Sequence, residues 1–420
     1  MILFKTALKN FKKDPLMNII AFVQLIAVIL VATVMVSAIS IRYRTYDPVK
    51  DILKGNGFYA WFDANTGAND SKLNENGITH HLTDDELNAR LKCESAIYTK
   101  IDLLSTYRIY PNEKNNTPPI WLYGSDMMSV YKPGLKSGRW GDPDADILEI
   151  VISDENEFGW KLGDTVEFDV SVPIPPDYFT HGTAKVVGIL EKNAEIFGYT
   201  LDNSSSAAAD TYRSMFGTES NINKESLTII ASAEAYERLY PDATPRILTA
   251  LFIYGDDASE ELLKEEVKIA AQLNGRTIID FEKMNTKSLE YLHDEFMKLM
   301  PVIAVLLVLV IISAVSVSAI AARRRLKDYA KYYLLGLQWK QCAAVSFLQA
   351  LITAIAALAV AVAALFIVGF TPLTELITLI VNTRLLLSLL GILALYLAFS
   401  MIMPLIMLHS ASPKELLQTE

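Results

Sequence analysis

Ala321–Cys342 reads AARRRLKDYAKYYLLGLQWKQC, a basic, tyrosine-rich segment between two long apolar stretches. Either it only orients those stretches across a membrane, or it is a surface made to grip something. Leu326, Tyr329, Ala330, Tyr333, Leu334 and Leu337 follow the i, i+3, i+4, i+7, i+8, i+11 spacing of one helical face, with Lys327, Asp328 and Lys331 on the other side. Such a helix can lie along anionic headgroups with its basic side toward lipid. Gly336 interrupts it and Trp339-Lys340 follows, which predicts a bend back into the apolar phase.

The flanking stretches are two of four apolar runs, at 16–41, 299–322, 343–370 and 385–408. Each can cross a bilayer core, which takes about 20 helical residues. None contains Asp, Glu, Lys or Arg, whereas a core helix of a soluble domain shows a polar face. With 51% hydrophobic residues in 420, and a mean hydropathy of +0.26, the chain reads as an integral membrane protein. The fold class is four transmembrane α-helices, one plus three, with a large mixed α/β domain inserted between the first and second. The run 16–41 follows lysines and ends near VSAIS, as a signal peptide would. It is longer than the roughly 7–15 residues of a signal core, so it reads as a retained anchor.

Charge gives the expected orientation. Residues 42–295 hold 43 acidic and 25 basic side chains, a balance of −18, and the rest of the chain balances at +8. Lys5, Lys9, Lys12 and Lys13 precede the first run, and Arg323, Arg324, Arg325, Lys327, Lys331 and Lys340 lie between the second and third. Positive charge near span ends stays on the cytoplasmic side. The expected layout is a cytoplasmic basic helix at 1–15, an outer domain at 42–298, a cytoplasmic loop at 323–342, a short external loop at 371–384 and a cytoplasmic tail at 409–420. Both termini are then inside. Cys93 falls outside and Cys342 inside, so no disulfide framework supports the outer domain.

That domain shows signed helix starts. Thr83 with Glu86 three residues on is a capping box, Ser259 precedes an acidic first turn, and Ser232 opens a helix that Pro241 ends. Strand-like runs occupy 149–153, 164–172, 184–190 and 226–232, and Val166, Phe168 and Val170 alternate onto one face. EIFGYTLDNSSSAAADTY, residues 195–212, has no period and reads as an exposed contact loop.

Catalytic signals are sparse. His80-His81 near Asp84, Asp85 and Glu86 has metal-compatible types, but the capping box already explains the acids. Asp142, Asp144 and Asp146 lack the glycine and distal glutamate of a calcium loop and read as a solvated turn. There is no Gly-x-Ser-x-Gly, His-Glu-x-x-His or Cys-x-x-Cys, and no Gly-x-x-x-x-Gly-Lys-Ser/Thr for nucleotide. Within the runs Gln24 and Gln349 are the main polar groups and read as interhelical hydrogen-bonders. Ala350, Ala354, Ala357, Ala361 and Ala364 form a stripe for close helix packing, against this chain or a second one.

The order of one span, a large outer domain and three spans around a basic loop resembles the MacB/FtsX-type (type VII) permeases of ABC transporters. The basic N-terminus running into the first span is similar to the family's. So is GLKSGRWGDPDADILEIVISDENEFGWKLGDTVEFDV with AKVVGILE, which resembles the MacB-type core domain. RRRLKDYAKYYLLGLQWKQCAAVSFLQALI resembles the family's Arg-Arg-Arg, Leu-x-Ala-Leu-Gly, Gln-Ile element, and SPKELLQTE its tail.

The resemblance implies a permease subunit of a bacterial cytoplasmic membrane, not itself an enzyme. It would export or extract a peptide, lipid-linked or antibiotic-like substrate. Carried over by motif position, Arg323, Arg324, Arg325, Leu334, Leu335 and Gly336 belong to the element that contacts the ATPase, and Leu326, Tyr329 and Tyr333 on the same helix are expected to share that contact. No catalytic, cofactor or metal residue is implied; ATP and Mg would be bound by the partner. Implied partners are a dimer of ABC ATPase subunits, a second permease copy or paralogue, membrane lipid, and an extracytoplasmic substrate or partner protein, with no nucleic acid. One departure is that Leu326-Lys327 follows the arginines where the family often has an acid, with Asp328 later. The alternative is a membrane receptor, or a regulator of an extracellular enzyme with no transport of its own. A tethered enzyme is disfavoured by the missing motifs.

Overall fold

The computed structural model describes Ala7 and residues 15–62, 83–105, 118–172 (without 155 and 157), 178–198 (without 193), 209–218, 227–273 (without 244), 275–336, 338–369 and 383–410. His80, His81, residues 199–208 of the expected contact loop, the 371–382 part of the expected external loop and the C-terminal motif lie outside these. The described residues form two units, 44–292 and, separately, 1–43 with 293–420.

The helical unit contains the apolar parts of α1 (Pro15–Val49), α6 (Phe281–Leu334), α7 (Trp339–Gly369) and α8 (Thr383–Ser410). All four are long and apolar enough to cross a membrane. All four outrun the apolar runs that announced them, two by eight residues or more: α1 continues to Val49, and α6 begins at Phe281. The early start of α6 has a local cause, since the Asp280 carboxylate accepts from the amides of Glu282 (2.8 Å) and Lys283 (3.2 Å) and caps the helix. At 54 residues and 1.5 Å per residue, α6 is about 80 Å long. Ala354, Ala357 and Ala361 are buried against a cluster that includes Leu25, Ile29, Val310, Ala314 and Leu389, so the alanine stripe packs within this chain. Gln24 accepts from the Ser313 hydroxyl, joining α1 to α6.

The other unit is built on a mixed sheet. Its strands are β1 (Asn56–Phe62), β2 (Ser95–Ser105), β3 (Pro119–Tyr123), β4 (Leu135–Gly138), β5 (Leu148–Ile152), β6 (Thr165–Val172), β7 (Tyr178–Leu190), β10 (Ile229–Ser232), β11 (Arg246–Tyr254) and β12 (Gly275–Asp280). Among the described residues the order is β12-β1-β11-β2-β3-β10-β5-β7-β4, with β6 pairing β2 and β7. Among the described pairings only β3 with β10 and β5 with β7 run parallel. A separate ribbon joins β8 (Glu195–Phe197) to β9 (Phe216–Thr218).

The local signals hold. α2 (Asp84–Arg90) has both halves of the Thr83/Glu86 capping box, and Val166, Phe168 and Val170 share a buried face. α4 (Ala233–Leu239) and α5 (Glu260–Gln272) start from Ser232 and Ser259, whose hydroxyls accept from the amides three residues on. The strands missed in the sequence, such as β3 and β11, are buried on both faces and therefore do not alternate.

One face of the sheet carries Ile120, Leu122, Ile150, Phe168 and Ile229, covered by Ala235 and Tyr236 of α4. The other receives the β8–β9 ribbon: Tyr123 donates to the Phe197 carbonyl (3.0 Å), and Phe197 meets Phe216 edge-on at 5.3 Å. A turn of helix after β3, α3 (Ser125–Val130), leads to Tyr131 on this second face. There Tyr131 touches Phe216 and donates to the Glu195 carbonyl (2.8 Å).

Candidate functional site

The basic segment forms the end of α6, a turn and the start of α7. The helix stops at Leu334; the Leu335 amide reaches back to Lys331 (3.1 Å) and the Gly336 amide to Tyr333 (3.0 Å). Gly336 has φ +96°, the left-handed conformation in which a side chain is strained. Nothing lies within 4 Å of where its side chain would be, so the glycine answers to backbone shape rather than crowding. The Gln338 amide then donates to the Gln341 side chain (2.9 Å) and opens α7.

The sequence placed Leu326, Tyr329, Ala330, Tyr333 and Leu334 on one apolar face. The structure divides that face by depth. Tyr329 and Ala330 are fully buried, and Tyr329 packs with Leu326, Tyr332, Cys342 and Ala343. The Tyr329 hydroxyl is 2.7 Å from that of Ser346, which ties the end of α6 to α7. Tyr333 is exposed, and Leu334 and Leu335 are 65% and 82% exposed. Leu337 lies outside the described residues.

The three arginines also divide. Arg323 and Arg324 are exposed, whereas Arg325 is only 5% exposed and donates to the Gln349 side chain of α7. Gln349 passes the link on, donating to the Ala7 carbonyl (3.3 Å), while Thr353 donates to the Gln349 carbonyl (3.1 Å). Sequence reasoning gave Gln349 an interhelical role but could not name its partner. A helical wheel makes the three arginines neighbours in a solvated turn, and nothing in it marks Arg325 as the inward one.

The site thus has an inner part that fastens two helices and an outer part that leaves an apolar tip, Tyr333-Leu334-Leu335, uncovered, with exposed Arg323 and Arg324 about three turns earlier on α6. Among the described residues no group of three His, Cys, Asp or Glu could hold a metal.

These features define a class: a multi-pass membrane protein with one span, an inserted mixed α/β domain and three further spans. Two solved structures are similar to the chain. One is the extracellular domain of the noncanonic ABC-type transporter YknZ from Gram-positive bacteria, at 10% identity and TM-score 0.27, covering 54% of this chain and 99% of that one. The other is the periplasmic region of MacB from Actinobacillus actinomycetemcomitans, at 12% identity and TM-score 0.29, covering 57% and 94%. No family profile and no curated protein matches the chain.

Proposed function

We propose that the chain is the permease subunit of an ABC transporter, and that the exposed end of α6 docks on a separate ATPase. The carrying observation is the tip itself. Two large leucines are left uncovered by the rest of the chain at a glycine turn, while Tyr329, just over a turn earlier, is tied to α7. An unattached loop has no reason to hold bare leucines there, since exposed apolar clusters mark interaction sites. Arg325, Leu326 and Tyr329 act as positioning residues, and Tyr333, Leu334, Leu335, Arg323 and Arg324 as contacts. Gly336 sets the turn between them.

In this reading ATP and Mg sit on the partner, and its closure moves the tip. α6 follows β12 directly in the chain, so a push at its far end has a helical path toward the sheet domain. The tip and both termini are cytoplasmic, the sheet domain is outside, and a second permease copy or paralogue completes the assembly. Work is then done on a peptide-like, lipid-linked or antibiotic-like substrate without passage through the four-helix unit.

The test is affinity purification of the tagged full chain from its native membrane in mild detergent. A P-loop ATPase is expected to co-purify, with its hydrolysis rate altered by the permease. Leu334→Asp with Leu335→Asp is expected to lose that association while still inserting. Retention of the ATPase by this double variant refutes the docking assignment. Labelling that places Lys331 on the same side of the membrane as Cys93 refutes the topology.

A further inference from the structure

The sheet domain contains a cleft of about 300 Å³ at the carboxyl ends of β3 and β10. These strands are parallel neighbours, in register from Ile120↔Ile229 to Tyr123↔Ser232, and each runs straight into a helix. The helices leave to opposite faces. α4 joins Ile120 and Leu122 in the core on one side, and α3 leads to Tyr131 and the β8–β9 ribbon on the other. Divergence of this kind opens a crevice beyond the strand ends, which is where open α/β sheets bind ligands. The volume lies at the lower end of the range for small-molecule sites.

The walls are prepared before any ligand arrives. Glu234 lines the cleft, and its carboxylate accepts from the Ser125 amide (2.6 Å) and the Ser232 hydroxyl (2.7 Å). Burial opposes its charge, but these hydrogen bonds prevail and hold its pKa below the ordinary value, so it is ionised at neutral pH. The Ser125 hydroxyl and the Glu234 amide also donate to it, and no basic side chain among the described residues pairs with it, so its negative charge is left for a ligand cation. Trp140 also lines the cleft, on a loop fixed from two sides. The Glu149 carboxylate takes Arg139 (2.7 and 2.5 Å) and the Asp142 amide (2.8 Å), and Arg238 donates to the carbonyls of Pro143 (3.1 Å) and Ala145 (2.6 Å). Gly141 is required there, because a side chain would meet the Glu149 carbonyl at 2.8 Å. Lys132 also lines the cleft, exposed and with no ion-pair partner among the described residues. Met128 and Ile230 supply apolar wall.

One anchored anion, one free cation and an aromatic-aliphatic wall in one small cleft match a zwitterion with an apolar side chain. We propose that the cleft binds a short peptide with free ends, its ammonium on Glu234, its carboxylate on Lys132 and its side chain against Trp140, Met128 and Ile230. This site stands independently of the ATPase-docking proposal.

Isothermal titration of the full chain in detergent tests it with Ala-Leu, N-acetyl-Ala-Leu and Ala-Leu amide. Ala-Leu is expected to bind, and blocking either end to weaken binding at least about tenfold, as loss of a charge-assisted hydrogen bond does. Glu234→Gln should erase the difference between the free and acetylated peptides, Lys132→Ala the difference between the free and amidated ones, and Trp140→Ala should weaken all three. Lys132 is an exposed side chain, so its variant keeps the test decisive if Glu234→Gln disturbs the fold. Absence of Ala-Leu binding at millimolar concentration, equal binding of the three probes, or discrimination unchanged in both charge variants overturns the proposal.

Discussion

The two units solve the burial of polar groups in opposite ways. In the sheet domain partly buried charges meet opposite charges brought from other elements. Arg213 pairs with Glu195, and Lys100 lies between Asp84 (2.7 Å) and Glu237 (2.5 Å). Glu266, almost fully buried, is the exception there and accepts from neutral donors, the Lys92 amide (2.7 Å) and the Tyr254 hydroxyl (3.0 Å). Within the spans the partners are neutral. Gln349 receives Arg325, Gln24 receives Ser313, and the Thr33 hydroxyl folds back on the Ile29 carbonyl at 2.7 Å. A charged pair such as Arg42 with Glu295 (2.5 Å) sits beyond the apolar runs. The lesson concerns the surrounding medium. A water-facing domain can pay desolvation for a few well-paired ions, whereas a lipid-facing helix satisfies polar groups within the protein, through carbonyls, amides and hydroxyls.

The largest effect is expected where a buried pair is broken. Arg213→Met strands the Glu195 carboxylate and should cost about 3–5 kcal/mol of sheet-domain stability, measured by urea unfolding of the full chain followed by tryptophan fluorescence. Replacing both partners with apolar residues should restore most of it. If the single variant unfolds like the parent, the contrast between the units fails at its strongest point.

In the helical unit the sensitive property is closeness rather than charge. Ala357 is fully buried in the stripe, so Ala357→Leu should cost about 1–3 kcal/mol, read as loss of helicity on heating in detergent. Val360→Leu, on an exposed face of the same helix, should leave the melt unchanged. Equal melts for the two variants would show that the stripe is not the packing surface.

The smallest effect sharpens the comparison through pH. Burial pushes the Glu149 pKa up, but Arg139 and the Asp142 amide outweigh it and hold the group below its ordinary 4.5. Its folded value is thus lower than its unfolded one. The linked stability is present above about pH 4.5 and is lost as pH falls through the folded value. Glu149→Gln should therefore be less stable than the parent at neutral pH, with the gap closing in acid. A constant gap down to pH 2–3, well below the carboxylate range, would remove the ion pair from the account.

Much of this architecture was legible locally. The apolar runs, the Thr83 box and the caps at Ser232 and Ser259 each depend on residues within a few positions of one another, so the sequence displays them directly. Two central strands were not legible, because β3 and β11 are covered on both faces and show no alternation. The candidate coupling tip was half legible. Periodicity found the helix and the glycine that ends it, but grouped buried Tyr329 with exposed Leu334.

By itself the sequence determined how many times the chain can cross a membrane, where a folded domain is inserted, and which helices start with a cap. Those properties follow from hydrophobicity and short-range hydrogen bonding, which act along the chain. Only the tertiary structure decided that Arg325 turns inward to Gln349, that the alanine stripe closes on its own neighbours, and that Trp140, Lys132 and Glu234 share one cleft. Each of these is a meeting of residues from separate elements, fixed by strand order and helix packing, and no pattern in one segment records the partner it will find in another.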